Sequence, residues 1–112
     1  MIDGLWSAQF YVPPTGSAIF GSGVVVFNNG SIKGGDSTYY YTGSYKIENG
    51  HFSANVSIIH YSGPYNNVLG HGVKQTDVSL SGTPDSNEFE VSGSSPSLLK
   101  QVAVRLERLA TL

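Results

Sequence analysis

Apolar and polar residues alternate along most of this chain. Trp6, Ala8, Phe10 and Val12 share one side of residues 4–12, with Ser7 and Gln9 on the other. A period of two belongs to a strand with one buried face. Pro13-Pro14-Thr15-Gly16-Ser17 ends that strand, because proline fixes φ and brings no N–H to a ladder. A second strand follows over 20–28 and a short third over 31–34, separated by Asn28-Asn29-Gly30. Asn-Gly supplies the positive φ of a type I′ hairpin turn. Gly34-Gly35-Asp36 redirects the chain into a fourth strand over 37–47, and Glu48-Asn49-Gly50 repeats the hairpin chemistry. A fifth strand takes 51–61, with Phe52, Ala54, Val56 and Ile58 on one face.

Residues 62–72 form the longest irregular segment, of a length that often carries function. Its Tyr65, Val68 and Leu69 are candidates to plug or gate a barrel mouth. A sixth strand is predicted over 73–82 and a seventh over 87–93, around Thr83-Pro84-Asp85-Ser86. The last segment, 98–110, has the Leu, Ala, Glu and Arg content of a helix. Yet Val102, Val104 and Leu106 alternate with Gln101, Ala103, Arg105 and Glu107, which favours a strand with one wet face. The sum is all-β: a small eight-stranded antiparallel up-and-down barrel, closed to remove its edges, in one domain over residues 1–112.

Composition narrows the function classes. Charged residues are 12% of the chain, about half the usual share. The net charge is −2, and Lys33, Lys46 and Lys74 stand apart at turns or strand ends, so no nucleic-acid footprint exists. Cysteine is absent, which excludes disulfides and thiolate chemistry. The longest apolar run is too short for a membrane span. Nothing in the first 30 residues reads as a signal peptide, and the expected setting is cytoplasmic.

The stretch from Val24 to Tyr45 resembles the GrlR family, small bacterial proteins related to a negative regulator of type III secretion gene expression. The resemblance is carried by Gly23-Val24-Val25-Val26, Asn29-Gly30, Ile32, Gly34-Gly35-Asp36, Tyr41-x-Gly43 and Tyr45. Asp3-Gly4-Leu5-Trp6 with Phe10, and Leu106-Glu107-Arg108-Leu109-Ala110, fit the same pattern. It implies a lipocalin-like barrel with an apolar interior. It also implies a non-enzymatic, regulatory role through protein contact, the founding member sequestering a transcriptional activator. That regulator has an acidic run at the hairpin after Tyr-x-Gly, where this chain has Lys46-Ile47-Glu48-Asn49-Gly50-His51 with one carboxylate.

Alternation sends a set of large side chains inward. A barrel of eight strands is either filled by such side chains or holds one small ligand. The ligand candidates are Trp6, Phe10, Phe27, Asp36, Tyr41, Tyr45, Phe52 and His60. They would make the protein a carrier or sensor of a small apolar, lipid-like molecule. Asp36 reads either as a turn former that accepts backbone N–H bonds or as a polar pole beside His60 or a tyrosine hydroxyl. Leu5, Tyr11, Val24, Val26, Ile59 and Tyr61 point outward. Leu5, Tyr11, Val24 and Val26, on neighbouring strands, are expected to form one patch for a protein partner or a second copy.

Catalytic and metal-binding patterns are missing. His51, His60 and His71 show no ligand spacing for zinc. Gly21-Ser22-Gly23 opens a strand and lacks the elbow context of a serine nucleophile. Glu88 and Glu90 share an outward face and would repel rather than divide acid and base roles. No enzyme, metal or cofactor is expected.

Overall fold

Two Asn-Gly pairs set the frame. Asn29 and Gly30 have φ of 52° and 87°, and Asn49 and Gly50 have 54° and 74°. Each pair makes a two-residue turn of the positive-φ kind that matches strand twist. The computed structural model describes residues 2–11, 19–63, 74–94 and 101–112. In it the chain forms β1 (Gly4–Tyr11), β2 (Ile19–Asn28), β3 (Ser31–Gly35), β4 (Tyr39–Glu48), β5 (His51–His60), β6 (Gln75–Gly82), β7 (Glu88–Ser94) and β8 (Val102–Ala110). Each strand pairs antiparallel with the next, and β8 returns to β1, so the barrel is closed.

Strand ends differ from the sequence reading by a residue or two, for local reasons. β4 begins at Tyr39 rather than 37 because the Asp36 carboxylate accepts the N–H groups of Thr38 and Tyr39 and holds them in a turn. The last segment is a strand over Val102–Ala110, and residues 98–100 of the span expected for it lie outside the described residues. Burying Val102, Val104 and Leu106 on a barrel wall outweighs helix propensities of a few tenths of a kcal/mol per residue. Val12, Pro13–Ser17 and the 62–72 loop from Pro64 onward, with Tyr65, Val68, Leu69 and His71, lie outside the described residues.

The inward face is built by alternation. Val25, Phe27, Ile32, Tyr39, Tyr41, Phe52, Val56, Ile58, Val78, Phe89 and Val91 are buried, and Phe10, Tyr45, Ile47 and Leu80 pack against them half-buried. Burying one such side chain stabilises by about 1.5–3 kcal/mol.

Aromatic rings seal one end. Trp6 is fully buried. Its ring meets Phe27 and Phe89 edge-on, at 5.8 and 5.3 Å between centroids. Phe52 continues the cluster against Phe27, Phe89 and Tyr45. Ile2, also buried, tucks below, and its carbonyl accepts the Trp6 indole N–H at 2.8 Å. Arg108, in phase with Leu106 and paired with Trp6 across the β1–β8 seam, lays its guanidinium 4.9 Å from the indole ring centre. It donates to the carbonyls of Asp3 and Ser86. The Asp3 carboxylate accepts from the Tyr45 hydroxyl and the Asn29 N–H. Those two bonds, the hydroxyl first, hold the Asp3 carboxyl below its usual pKa.

Candidate functional site

The space left inside the barrel is small and dry. It amounts to about 50 Å³ and is lined only by apolar atoms. Of the ligand candidates, Phe10, Phe27, Tyr41 and Phe52 line it, together with Ala8, Ala54 and the valines and leucines of β6 and β8. Trp6 and Tyr45 belong instead to the sealed end, packed against other rings. A cavity with no polar partner for water stays empty of it.

Asp36 and His60 stand at the opposite end. The Asp36 carboxylate accepts the Thr38 and Tyr39 N–H groups at 2.8 and 2.7 Å. Its second oxygen accepts the Tyr41 hydroxyl at 2.5 Å. Asp36 is therefore the turn former, and its carboxylate also anchors the Tyr41 hydroxyl; the residues that line the lumen include neither Asp36 nor His60, so the pair makes no polar pole there. His60 packs edge-on against Tyr39, and its Nε2 donates to the Gly63 carbonyl at 2.6 Å. Tyr61 crosses the same turn, donating its hydroxyl to the Asp36 carbonyl and its N–H to the Thr38 carbonyl.

Burial, and then the bond to Asp36, push the Tyr41 phenol far above the ordinary tyrosine pKa of 10.0. A raised folded-state pKa means that the neutral phenol stabilises the fold fully below pH 10 and loses that stability as pH rises above it. Tyr41→Phe should remove this dependence. Between pH 10 and 11.5 its unfolding free energy should fall less steeply than the wild type's, by up to about 1.4 kcal/mol per pH unit. Urea titrations across that range measure it, and equal slopes would contradict the assignment.

The outer wall carries the exposed apolar residues, and strand register orders them into rows. One row runs Ser7, Val24, Gly35, Tyr40, Ile59, Gln75 from β1 to β6. The next runs Leu5, Val26, Lys33, Thr42, Ser57, Asp77. Val24 is 44% exposed, Tyr40 43% and Tyr61 55%; Leu5, Val26 and Ile59 are half-buried. Gly35 has no side chain between Val24 and Tyr40, so the apolar stripe is continuous across it, and the Tyr61 ring lies 6.2 Å from that of Tyr40. Tyr11 departs from the expected patch. It faces Ala103 across the seam, and its hydroxyl bonds the Glu90 carboxylate, which raises the phenol's pKa. The patch is thus Leu5, Val24 and Val26, extended through Gly35 to Tyr40, Ile59 and Tyr61.

The sequence reading gave no site role to Ile2, Asp3 or Arg108 at the sealed end, nor to Tyr40 in the stripe; Asp3 and Arg108 entered it only through the family resemblance. The signal for Arg108 was present, since it keeps phase with Leu106. Tyr40 was hidden inside the run Tyr39-Tyr40-Tyr41, whose middle member alternation turns outward.

Among the described residues no cluster of three or more His, Asp or Glu side chains is placed to hold a metal ion. Nor is any helix there long and apolar enough to cross a membrane. No family model and no curated protein sequence matches the chain.

Proposed function

We propose that this chain is a non-enzymatic protein-interaction module of regulatory type, acting in a bacterial cytoplasm through the outer stripe of β1–β5. The reading follows what the resemblance to the GrlR family implies, with the contact surface moved. The β4–β5 hairpin carries a balanced pair, Lys46 Nζ 3.2 Å from Glu48, in place of an acidic run.

One observation carries it: of the large apolar side chains exposed among the described residues, Val24, Tyr40 and Tyr61 lie along one outer stripe, with Leu109 and Leu112 apart from them, while the inside keeps only a small cavity. Ligand pockets run to about 300–1,000 Å³; the lumen here offers about 50 Å³. The carrier reading draws support from the purely apolar lining, but needs rings such as Phe10 or Phe52 to swing away.

Photo-crosslinking in the producing cells tests the two against each other. A crosslinker at Val24 should give a discrete protein adduct that Val26→Glu abolishes, while one at the exposed Glu88, on β7, should give none. Saturated fatty acids should leave the melting temperature unchanged. Equal adducts from both positions would sink the proposal. So would a bound lipid in the native mass spectrum, or a melting-temperature rise on adding fatty acid.

A further inference from the structure

We infer that the β3–β6 half of the outer wall is a self-recognition surface that pairs two copies of this chain face to face. The inference rests on the reading that the outer wall is the working surface, and it names a second copy as the occupant of its β3–β6 part, which shares Tyr40 and Ile59 with the stripe.

The argument is the order of charges across the wall. On these four strands one row reads Lys33, Thr42, Ser57, Asp77: a cation, two hydroxyls, an anion. The row on one side reads Gly35, Tyr40, Ile59, Gln75, and the row on the other reads Ser31, Ser44, Asn55, Ser79. Consider a two-fold axis running along the strands between β4 and β5. It brings β3 of one copy over β6 of the other, and β4 over β5, each row against its own reverse. Lys33 then meets Asp77 of the second copy, twice by symmetry. Tyr40 meets Ile59, and Thr42 meets Ser57. No like charges face each other. A two-fold axis at right angles, across the strands through that row, sets Lys33 against Lys33 and is disfavoured. The charge pattern therefore selects both the partner and its orientation.

The charged groups are held in position beforehand. Lys33 Nζ donates to Thr42 Oγ1 at 2.8 Å, and Ser57 Oγ donates to Asp77 Oδ1 at 2.7 Å. Each charge leans on the hydroxyl next to it, so less side-chain freedom is lost on pairing. The exposed Tyr40 gives the face an aromatic centre, the residue type that dominates contact energies.

Size sets the affinity. Four strands about 4.8 Å apart, over about five residues at 3.3 Å each, give a footprint of roughly 300 Å². A stable dimer needs about 800 Å² per partner. The pairing is therefore weak and fast-exchanging.

Sedimentation equilibrium on the whole chain from 10 to 500 μM tests it. Wild type should self-associate, more weakly as salt rises. Lys33→Asp and Asp77→Lys should each weaken association at least fivefold. An equimolar mixture of the two should associate more tightly than either alone, because one copy then presents two anions and the other two cations in register. The double variant Lys33→Asp/Asp77→Lys should regain wild-type association. Both positions are exposed, and melting temperatures within a few degrees of wild type confirm that the variants fold. A wild type that stays monomeric at 500 μM overturns the inference. So does an association that the single swaps leave unchanged, or a double variant no better than either single one. Loss of self-association with the Val24 crosslink intact removes the pairing alone; loss of the crosslink removes the interaction reading itself.

Discussion

Trp6→Ala is expected to destabilise the barrel by about 3–5 kcal/mol, a large part of the 5–15 kcal/mol that holds a domain of this size together. The reason is the number of partners that Trp6 serves at once. It fills the sealed end completely and contacts two aromatic rings edge-on. Its indole N–H occupies the Ile2 carbonyl, and its face carries the Arg108 guanidinium. Alanine leaves a cavity the size of an indole, a buried carbonyl without its donor, and a cation without its ring. Urea unfolding followed by far-ultraviolet circular dichroism measures the loss. Trp6→Phe, which keeps most of the volume and loses the hydrogen bond, should cost clearly less. A loss under about 1 kcal/mol for the alanine variant would mean that the end is not sealed as described.

The second large effect is expected at two inward glycines, Gly43 and Gly93. A Cβ on Gly43 would sit 2.1 Å from the Asn55 carbonyl oxygen and 2.9 Å from the Val56 Cα. On Gly93 it would sit 1.6 Å from the Ser79 carbonyl oxygen. Both obstacles are the backbone of the paired strand, not a side chain that can turn aside. Glycine inside a strand marks a bend or a close backbone approach, and a small barrel needs such places to close. Overpacking by one methyl group usually costs about 1–3 kcal/mol; with backbone in the way, Gly43→Ala and Gly93→Ala should fall at or above the upper end of that range. Ser92→Ala, the neighbouring outward position, should change stability by under about 0.5 kcal/mol. Thermal unfolding of the three variants decides the matter, and a Gly93→Ala protein as stable as the wild type would refute the close approach.

Most of the barrel was legible because one face of each strand meets water and the other does not. Period-two alternation then names the inward residues, from Trp6 and Ala8 on β1 to Val104 and Leu106 on β8. Asn29-Gly30 and Asn49-Gly50 were equally plain, since their geometry is local. What alternation cannot convey is how the ends are finished. Ile2 and Asp3 precede the first strand and carry no periodic signal; they are ordered by Arg108, from the far end of the sequence. Ala103 is outward by phase yet almost fully buried, between Tyr11 and Ser92 in the adjoining strands. The outer rows were invisible for the same reason. Lys33 and Asp77 become members of one line only when the register of four strands is known.

The seam between β1 and β8 governs how the molecule can assemble. Every other ladder joins strands consecutive in sequence, so those hairpins nucleate locally within microseconds. The seam unites groups as much as 105 positions apart, Asp3 with Arg108, and the entropy of closing so long a loop is lost before any of its contacts form. Closing the seam is therefore expected to set the pace of folding. Until it closes, β1 and β8 each present an unpaired edge, a template for pairing with other chains, so refolding yield should fall as protein concentration rises.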